Sequence, residues 1–274
     1  MIVTLQTRKR LQELKQLFDQ LKEGKYSLLQ LIDEAEITES VYNSNAIENS
    51  TLTLNETEKI LLDMEVSRNL DLREVFEAKN LATVMEYLRP KAQETRLSSE
   101  FINVLHLMLL TNINKNTPAP EQITRLIENL IYDYSNDLES HYLEKIALFH
   151  LDFETIHPFN DGNGRIGRIL INFQLLRLNL PPIIIRNKEK KLYYSAFSEY
   201  RNQKTSKTMA HIFALALMES LHKRIAYLKG GAIQPLTDFA RSQNENPTKL
   251  LNAARRQTIP AFRERGVWKI ESKQ

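Results

Sequence analysis

The sequence predicts an all-α protein with a small domain appended at its C-terminus. Apolar residues recur three or four positions apart along most of the 274 residues, which is the spacing of helices that pack on a core. Glycine is scarce, at 7 residues, for a β or doubly wound protein. After residue 230 the pattern changes to two short helices and an extended stretch. We therefore expect N-terminal helices over residues 1–40, a main domain over 41–229 and a small domain over 230–274.

The composition is that of an ordinary globular protein. Hydrophobic residues make up 42% and charged residues 26% of the chain. No apolar run is long enough to cross a membrane, and the N-terminal MIVTLQTRKR lacks the apolar stretch of a signal peptide. We therefore expect a cytoplasmic protein with no membrane partner. The absence of cysteine excludes disulfides and thiolate zinc sites.

Helical periodicity accounts for most of the first 156 residues. An opening amphipathic helix carries Leu11 and Phe18 and stops at Gly24. His106 lies among leucines without a metal-ligand spacing around it, and we interpret it as a core or boundary histidine. Turn-forming segments such as the one at Pro90 separate the later helices. These helices are predicted over Glu58–Met64, Arg73–Leu88, Ser99–Leu110, Glu121–Tyr132 and Leu143–Phe153.

The segment HPFNDGNGRIGR, residues 157–168, concentrates the chemistry of the chain. Pro158 and the glycine-rich run at 160–164 forbid a continuous helix and favour a turn that tolerates positive φ. Apolar residues at helical spacing resume at Ile166, so the turn leads into a helix whose first N–H groups point back into the loop. A helix N-terminus beside glycines is a ready site for an anion.

The side chains of the same segment suit a phosphate site. Arg165 and Arg168 lie three residues apart on one helical face and can both hold one polyphosphate. Asp161 supplies the hard oxygen ligand that Mg²⁺ needs when substrate phosphates also hold it. His157 supplies a general base. Each feature alone also suits an ordinary surface loop, and it is their combination in one short segment that indicates the site.

This segment resembles the signature of Fic-domain proteins, in which a histidine and a phenylalanine precede an acidic residue, the run GNGR and a second arginine. Every fixed position of that signature is met. The resemblance implies a helical domain that transfers AMP from ATP to a target protein. A subset of the family acts as kinases and has lysine at the second glycine of the turn, so Gly164 favours adenylyl transfer. The implied roles are general base for His157, magnesium ligand for Asp161, anion hole for Gly162, Asn163 and Gly164, and phosphate contacts for Arg165 and Arg168.

A second resemblance lies in SNAIEN, at the end of a helix expected over about 41–49. Ser44 and Glu48 share a helical face and Asn49 can end the helix, which by itself is a common surface pattern. Many Fic proteins carry an inhibitory helix with Ser or Thr, three residues, Glu and then Gly or Asn. The resemblance implies that Glu48 pairs with Arg168 and autoinhibits the protein, because an arginine held by a carboxylate cannot also hold a γ-phosphate.

Two further features of the resemblance concern the substrates. Tyr193 and Tyr194 lie where a tyrosine of Fic proteins lines the adenine pocket, although aromatic residues at helical spacing usually serve the core. Fic domains usually carry a hairpin flap that docks the target, just ahead of a proline-rich turn such as Pro118–Pro120. Too few residues separate Leu110 from that turn for two strands, so we expect the flap to be absent.

The last segment follows an apolar helix predicted over Thr208–Leu228 and has a basic surplus. From residue 231 on, eight Lys or Arg stand against four Asp or Glu. LTDFARS and TKLLNAARRQ indicate two helices and IPAFRERGVWKI a hairpin, an order that resembles a winged helix-turn-helix. Basic side chains there suit DNA phosphates, while the alternative is a small helical cap that packs or binds a target. The residues concerned are Arg255, Arg256, Arg263 and Arg265.

The sequence leaves three functions open. The first is an autoinhibited adenylyltransferase that uses ATP and Mg²⁺ and modifies a Tyr, Thr or Ser hydroxyl of a target protein or of the chain itself, with a homodimer also open. The second is a hydrolase that removes AMP, with Glu48 positioning the water. The third is a DNA-binding regulator whose Fic domain senses nucleotide. Transfer or release of labelled AMP separates the two enzymes, and a sequence-preferring DNA shift identifies the regulator.

Overall fold

A computed structural model describes residues 2–66, 68–113 and 121–272. The fold class is confirmed, because helices dominate these ranges and the strands form one small sheet. The elements, in chain order, are α1 Leu5–Lys22, α2 Tyr26–Ile47, α3 Leu54–Leu61, α4 Leu72–Lys91, α5 Ser99–Leu109, α6 Glu121–Asn136, α7 Tyr142–Ile156, α8 Asn163–Arg177, α9 Lys190–Gln203, α10 Lys207–Lys229, β1 Ile233–Pro235, α11 Leu236–Ser242, α12 Pro247–Arg255, β2 Ala261–Glu264 and β3 Val267–Glu271.

Residues 3–36 and 211–272 pack together as one compact unit, within which a cluster of charged residues is buried. Arg224 on α10 donates from Nη2 to Asp33 Oδ1 at 2.5 Å and to Glu36 Oε2 at 2.6 Å. Burial alone would raise the pKa of Glu36, but Arg224 and Lys223 lower it. The buried charges are therefore satisfied by one another, as buried ion pairs must be.

The C-terminal part of this unit contains the only sheet among the described residues. β3 lies between β1 and β2 and is antiparallel to both strands. Asn246 caps α12, since its Oδ1 accepts the N–H groups of Thr248 and Lys249. The two short helices and the hairpin are the elements predicted after residue 230. Their small core is formed by Leu236, Ala254, Ala261 and Ile270.

Residues 37–210 pack as the second compact unit, together with Ile2. Helix α8 lies in its interior, with most of its residues buried, and α4, α5 and α7 pack against it. Because α7 and α8 are consecutive, burial of both helices fixes the two ends of the loop that joins them. The core side chains that anchor this region include Leu81, Leu105, Phe149, Phe153, Ile166 and Phe173.

Most of the helix boundaries differ from the sequence prediction by one to four residues, and two of the differences have a local explanation. Helix α3 starts at Leu54, before the predicted Glu58, because Thr53 and Glu56 form a capping box that satisfies the first N–H groups. Helix α4 continues through Pro90 to Lys91 instead of stopping before the proline. Only Lys91 follows Pro90 in the helix, so the missing N–H group of the proline disturbs little of α4.

Three expectations concern the extent and location of the chain. The domain boundaries expected at residues 40 and 230 stay a prediction, since units of packing and domains need not coincide. Within the ranges described above, no helix combines the length and the apolar character needed to cross a bilayer. The expected absence of a flap hairpin before Pro118 concerns residues 114–120, which lie outside the described residues.

Candidate active site

The loop between α7 and α8 has an unusual backbone shape. α7 ends at Ile156, and His157 follows in the left-handed region, with a φ of 51° that few non-glycine residues adopt. Gly162 also has a positive φ, 84°, and is the N-cap of α8. A Cβ at Gly162 would lie 3.1 Å from Leu109 Cδ2. Glycine is therefore needed at this position for both conformation and space.

Asn163 and His106 hold the loop in this shape. Asn163 Oδ1 accepts the Phe159 N–H at 2.9 Å, and Asn163 Nδ2 donates to Phe159 O at 2.6 Å. The ring of His106 stacks on Phe159 with 3.6 Å between centroids, and its Nε2 lies 2.9 Å from Asp161 O. His106 is buried, in agreement with its interpretation from the sequence, and this burial lowers its pKa.

The start of α8 faces a cavity of about 480 Å³. The Ile166 N–H bonds back to Gly162 O at 2.9 Å, so the N–H groups of the three preceding residues lie at the open end of the helix. The cavity volume is in the usual range for small-molecule sites. The structure brings together here all the residues predicted to act as base, metal ligand or nucleotide contact: His157, Asp161, Gly162, Asn163, Gly164, Arg165, Arg168, Tyr193 and Tyr194.

Both carboxylate oxygens of Asp161 are engaged by arginines. Oδ1 accepts from Arg165 Nη2 at 3.1 Å, and Oδ2 accepts from Arg73 Nη2 at 2.5 Å. Glu77 Oε1 lies 3.1 Å from Arg73 Nε and 3.2 Å from Arg165 Nη1. The hydrogen bond to Glu77, with a further contribution from Asp161, raises the pKa of Arg73. Two carboxylates and two guanidinium groups thus alternate along one wall of the cavity.

The donor set at this wall fits one divalent cation that a bound polyphosphate also holds. Among the described residues, no three His, Asp or Glu side chains gather into a complete metal site. Asp161 lies on the cavity beside the start of α8, and Mg²⁺ at phosphate sites takes one or two carboxylates and completes its shell with phosphate and water. A cation at Asp161 has to displace Arg73 or Arg165, because these two side chains hold its oxygens.

Arg168 is buried and bound to the end of α2. Its Nε donates to Ser44 Oγ at 3.0 Å, and its Nη2 donates to Ser44 O at 2.9 Å and to Glu48 Oε1 at 2.8 Å. The Glu48 side chain is 38% exposed, whereas that of Arg168 is 8% exposed. Burial opposes the charge of Arg168, but Tyr193 and Glu48 outweigh it and raise the pKa of the guanidinium.

The Glu48 carboxylate lies directly beside Gly164. A Cβ at Gly164 would overlap Glu48 Oε1 and would lie 3.1 Å from Arg168 Nη1. The missing side chain therefore makes room for an anion, and in this structure the anion is the carboxylate. Asn49 follows α2 with a positive φ of 71°, a conformation typical of the residue that ends a helix. Its Oδ1 accepts a hydrogen bond from Lys190 Nζ at 2.8 Å.

Tyr193 and Tyr194 have different surroundings although both line the cavity. Tyr193 is 2% exposed, and its hydroxyl lies 2.7 Å from His150 Nε2 and hydrogen-bonds Arg168. Burial raises the pKa of Tyr193. Tyr194 is 41% exposed and donates from its hydroxyl to Ile47 O at 3.3 Å. Tyr194 thus offers the more open ring to a ligand, while Tyr193 supports Arg168 from within the protein.

Several cavity residues escaped the sequence analysis, among them the charged residues Arg73, Glu77 and Glu154. Arg73 and Glu77 lie four residues apart on α4, a spacing that on most helices forms only a surface ion pair. Glu154 lies on the last turn of α7 and directly follows the buried Phe153. A charged residue next to a core phenylalanine is the one local signal that could have marked it as a candidate site residue. Burial raises the pKa of Glu154 to about 7; Arg168 opposes the rise and Glu48 adds to it.

The arginines of the tail belong to the other compact unit and differ among themselves. Arg255 and Arg256 are exposed at the end of α12. Arg263 Nη2 pairs with Glu219 Oε2 at 2.6 Å, so its charge is compensated within the unit. Arg265 is exposed in the turn between β2 and β3, with a φ of 51°.

The start of a buried helix α8, two arginines and the preceding histidine loop thus meet at one cavity of a helical domain. The model of the Fic/DOC family matches residues 70–175. The relative named protein adenylyltransferase Fic from Nematostella vectensis is 30% identical over 217 residues, which are 72% of this chain and 50% of that protein.

Solved structures agree with that match. A Fic domain containing signaling protein from Bacteroides thetaiotaomicron has a TM-score of 0.72 at 26% identity, and the match covers 82% of this chain and 99% of that one. Fic-1 from Caenorhabditis elegans has a TM-score of 0.70 at 25% identity, with 80% and 71% covered. The chain therefore contains a Fic domain. It spans half the length of the Nematostella relative.

Proposed function

We propose that this chain transfers AMP from ATP to a hydroxyl side chain of a protein. The observation that carries the proposal is the one cavity in which the N-terminus of α8, Arg165, Arg168, Asp161 and His157 meet. Relatives that bear the name protein adenylyltransferase support the same reaction. ATP is then the substrate, and the target supplies a Tyr, Thr or Ser hydroxyl.

The polyphosphate binds at the open end of α8, where N–H groups and the two arginines face it. His157 is exposed at the rim, where its ring takes the proton from the attacking hydroxyl. The hydroxyl oxygen bonds to the α-phosphorus, the bond from that phosphorus to the bridging oxygen breaks, and pyrophosphate leaves. A positioned base contributes about 10²- to 10⁴-fold to the rate. Preorganised donors aimed at the developing charge contribute the larger part.

Asp161 is the residue that would hold Mg²⁺ together with the phosphates. When bound there, the cation neutralises phosphate charge and stabilises the leaving pyrophosphate. Arg73 and Arg165 together balance the carboxylates of Asp161 and Glu77 in this structure, so this part of the wall carries no net charge before the cation arrives.

We further infer that Glu48 keeps the wild-type site inactive. Its carboxylate pairs with Arg168 and lies beside Gly164, where the missing side chain leaves room for a phosphate. A phosphate at this position meets a like charge and finds the guanidinium already engaged. Ser44 holds Arg168 through two more hydrogen bonds, so the arginine stays in place when Glu48 withdraws.

The test compares wild type, Glu48→Gly and Glu48→Gly with His157→Ala, each incubated with Mg²⁺ and ATP labelled at the α- or the γ-phosphate. Glu23→Gly, which replaces a glutamate at the end of α1, is the matched control. Only the single variant Glu48→Gly should strongly transfer the α-label to itself or to other proteins. Transfer of the γ-label would indicate a kinase, and release of AMP from a labelled protein that is lost in Glu48→Gly would indicate the hydrolase.

The tail supports a second, compatible binding function. Arg255 and Arg256 are exposed at the end of α12, the second of two short helices whose order resembles a helix-turn-helix. The second helix of that motif commonly enters the major groove. We infer that these two residues contact DNA phosphates, while the ion pair with Glu219 limits the contribution of Arg263. Self-modification and a homodimer, which the sequence analysis left open, also stay proposals.

A further inference from the structure

Glu154 is a partly buried carboxyl group of the cavity that the proposed reaction does not use. It lies one turn before His157, on the last turn of α7. Its Oε1 lies 2.5 Å from the position that a Cβ of Gly167 would take, so glycine is needed there to admit it. Within the part of the chain that the structure describes, this oxygen is buried and accepts no hydrogen bond. A buried carboxylate oxygen without a donor is costly, and it points to a partner that comes and goes.

Glu154 lines the same cavity as Arg168 and Glu48. Arg168 attracts the charge of Glu154 and Glu48 repels it, while Glu48 already accepts from Arg168 Nη2 at 2.8 Å. Tyr193, on α9, hydrogen-bonds Arg168, and His150, earlier on α7, lies beside Gly167. Burial lowers the pKa of His150 to about 3, so that ring is neutral at pH 7. Among these neighbours, Arg168 carries the positive charge.

We propose that Glu154 is the inner counter-ion of Arg168, and that it takes up a proton whenever an anion occupies the outer side of this guanidinium. Glu154 is then a positioning residue: it acts through Arg168 and does not touch the reacting atoms. The inference rests on the proposed nucleotide site, since the anion of the active protein is the terminal phosphate of ATP. In the inhibited protein that anion is the Glu48 carboxylate.

The exchange follows from charge balance around one cation. Burial favours the neutral form of Glu154, and the charge of Glu48 adds to this preference, so with Glu48 in place Glu154 holds a proton more readily. When Glu48 withdraws, Arg168 keeps its hydrogen bonds to Ser44 and Tyr193, but these groups are neutral. Glu154 then loses its proton to solvent and compensates the buried charge. A phosphate that then binds Arg168 repels Glu154, which takes a proton back from the buffer.

The sign of the pH dependence follows from this exchange. Phosphate raises the pKa of Glu154, so the bound form holds more protons than the free form between the two pKa values. Affinity for ATP is therefore highest below the free-state pKa, falls as the pH rises toward the bound-state pKa, and is constant above it. Each unit of difference between the two values weakens binding by about tenfold across that window. A Glu154 that served only as a spacer beside Gly167 would produce none of this dependence.

The experiment measures binding of magnesium ATP by calorimetry. Every variant carries His157→Ala, which blocks transfer and removes the titration of that ring, and Glu48→Gly, which opens the site. Glu154→Gln is compared with this background because it keeps the volume and cannot ionise. Glu74→Gln is the matched control, since it removes a carboxylate that also lines the cavity. Buffers of different ionisation enthalpy report the protons taken up, and a pH series reports the dissociation constant.

We expect the background and the Glu74→Gln variant to take up about half a proton or more at the most responsive pH, if the pKa changes by one unit or more. Glu154→Gln should abolish this uptake and leave only the titration of ATP itself. Equal uptake with and without Glu154, in variants that bind ATP, would overturn this inference and leave the proposed function standing. Failure of the background variant to bind ATP would overturn both.

Discussion

Removal of Glu48 should lower the stability of the protein, and ATP should restore it. Glu48→Ala removes one charge-assisted hydrogen bond from the buried guanidinium of Arg168, while the two bonds to Ser44 and the bond to Tyr193 remain. Bonds to charged groups contribute about 1.5–3 kcal/mol. The Glu48 side chain is 38% exposed, so solvent screens part of the attraction, and we expect a loss of about 1–2 kcal/mol.

Thermal unfolding with and without magnesium ATP measures both effects. A loss of this size corresponds to a decrease in Tm of about 2–6 °C for a chain of this length. Because the phosphate takes the place of the carboxylate on Arg168, ATP should raise the Tm of Glu48→Ala by more than that of wild type. Glu86→Ala, which removes an exposed glutamate of α4, controls for the loss of a carboxylate. An unchanged Tm for Glu48→Ala, or a larger ATP effect on wild type, would refute the reasoning.

Two further predictions concern the cavity wall and the tail. Arg73→Gln frees one oxygen of Asp161, so binding of Mn²⁺ without nucleotide, followed by the electron paramagnetic resonance of the free ion, should tighten several-fold; weaker binding would show that Arg73 instead holds Asp161 ready. Replacement of Arg255 and Arg256 by Ala in the full chain should weaken DNA binding and reduce the slope of log affinity against log salt by about 2; a slope that does not change would exclude both residues from phosphate contact.

The loop of the site could be predicted because its determinants are local. A proline, two glycines that shape the turn and the first apolar residues of α8 lie close together in the sequence, so their chemistry predicts the turn and the helix start. The support that His106 gives to the loop is the distant contribution that these residues do not reveal. The pairing of Glu48 with Arg168 joins residues far apart in the chain. Helical spacing alone did not predict that pairing. Its prediction rested on the resemblance of SNAIEN and of residues 157–168 to two motifs of Fic proteins.

The remaining cavity residues could not be predicted because their roles depend on packing. Arg73 meets Asp161 only because α4 packs against α8, and its sequence context is that of a solvated helix start. Tyr193 and Tyr194 are neighbours in sequence, yet one is buried and the other half open, and which is which follows from the rotation of α9 against its neighbours. Glu154 is conspicuous only once the absence of a side chain at Gly167 is seen beside it.

The double hydrogen bond between Asn163 and Phe159 has a consequence for control of the protein. This bond and the His106 contact shape the loop before any ligand arrives. Ordering of the loop therefore adds little to the free-energy cost of nucleotide binding. A switch that melted and re-formed the loop would have to break these contacts each time. Under the proposed inhibition by Glu48, control falls on which anion occupies Arg168. The tethered carboxylate then competes with a diffusing phosphate, and effective concentration decides the outcome.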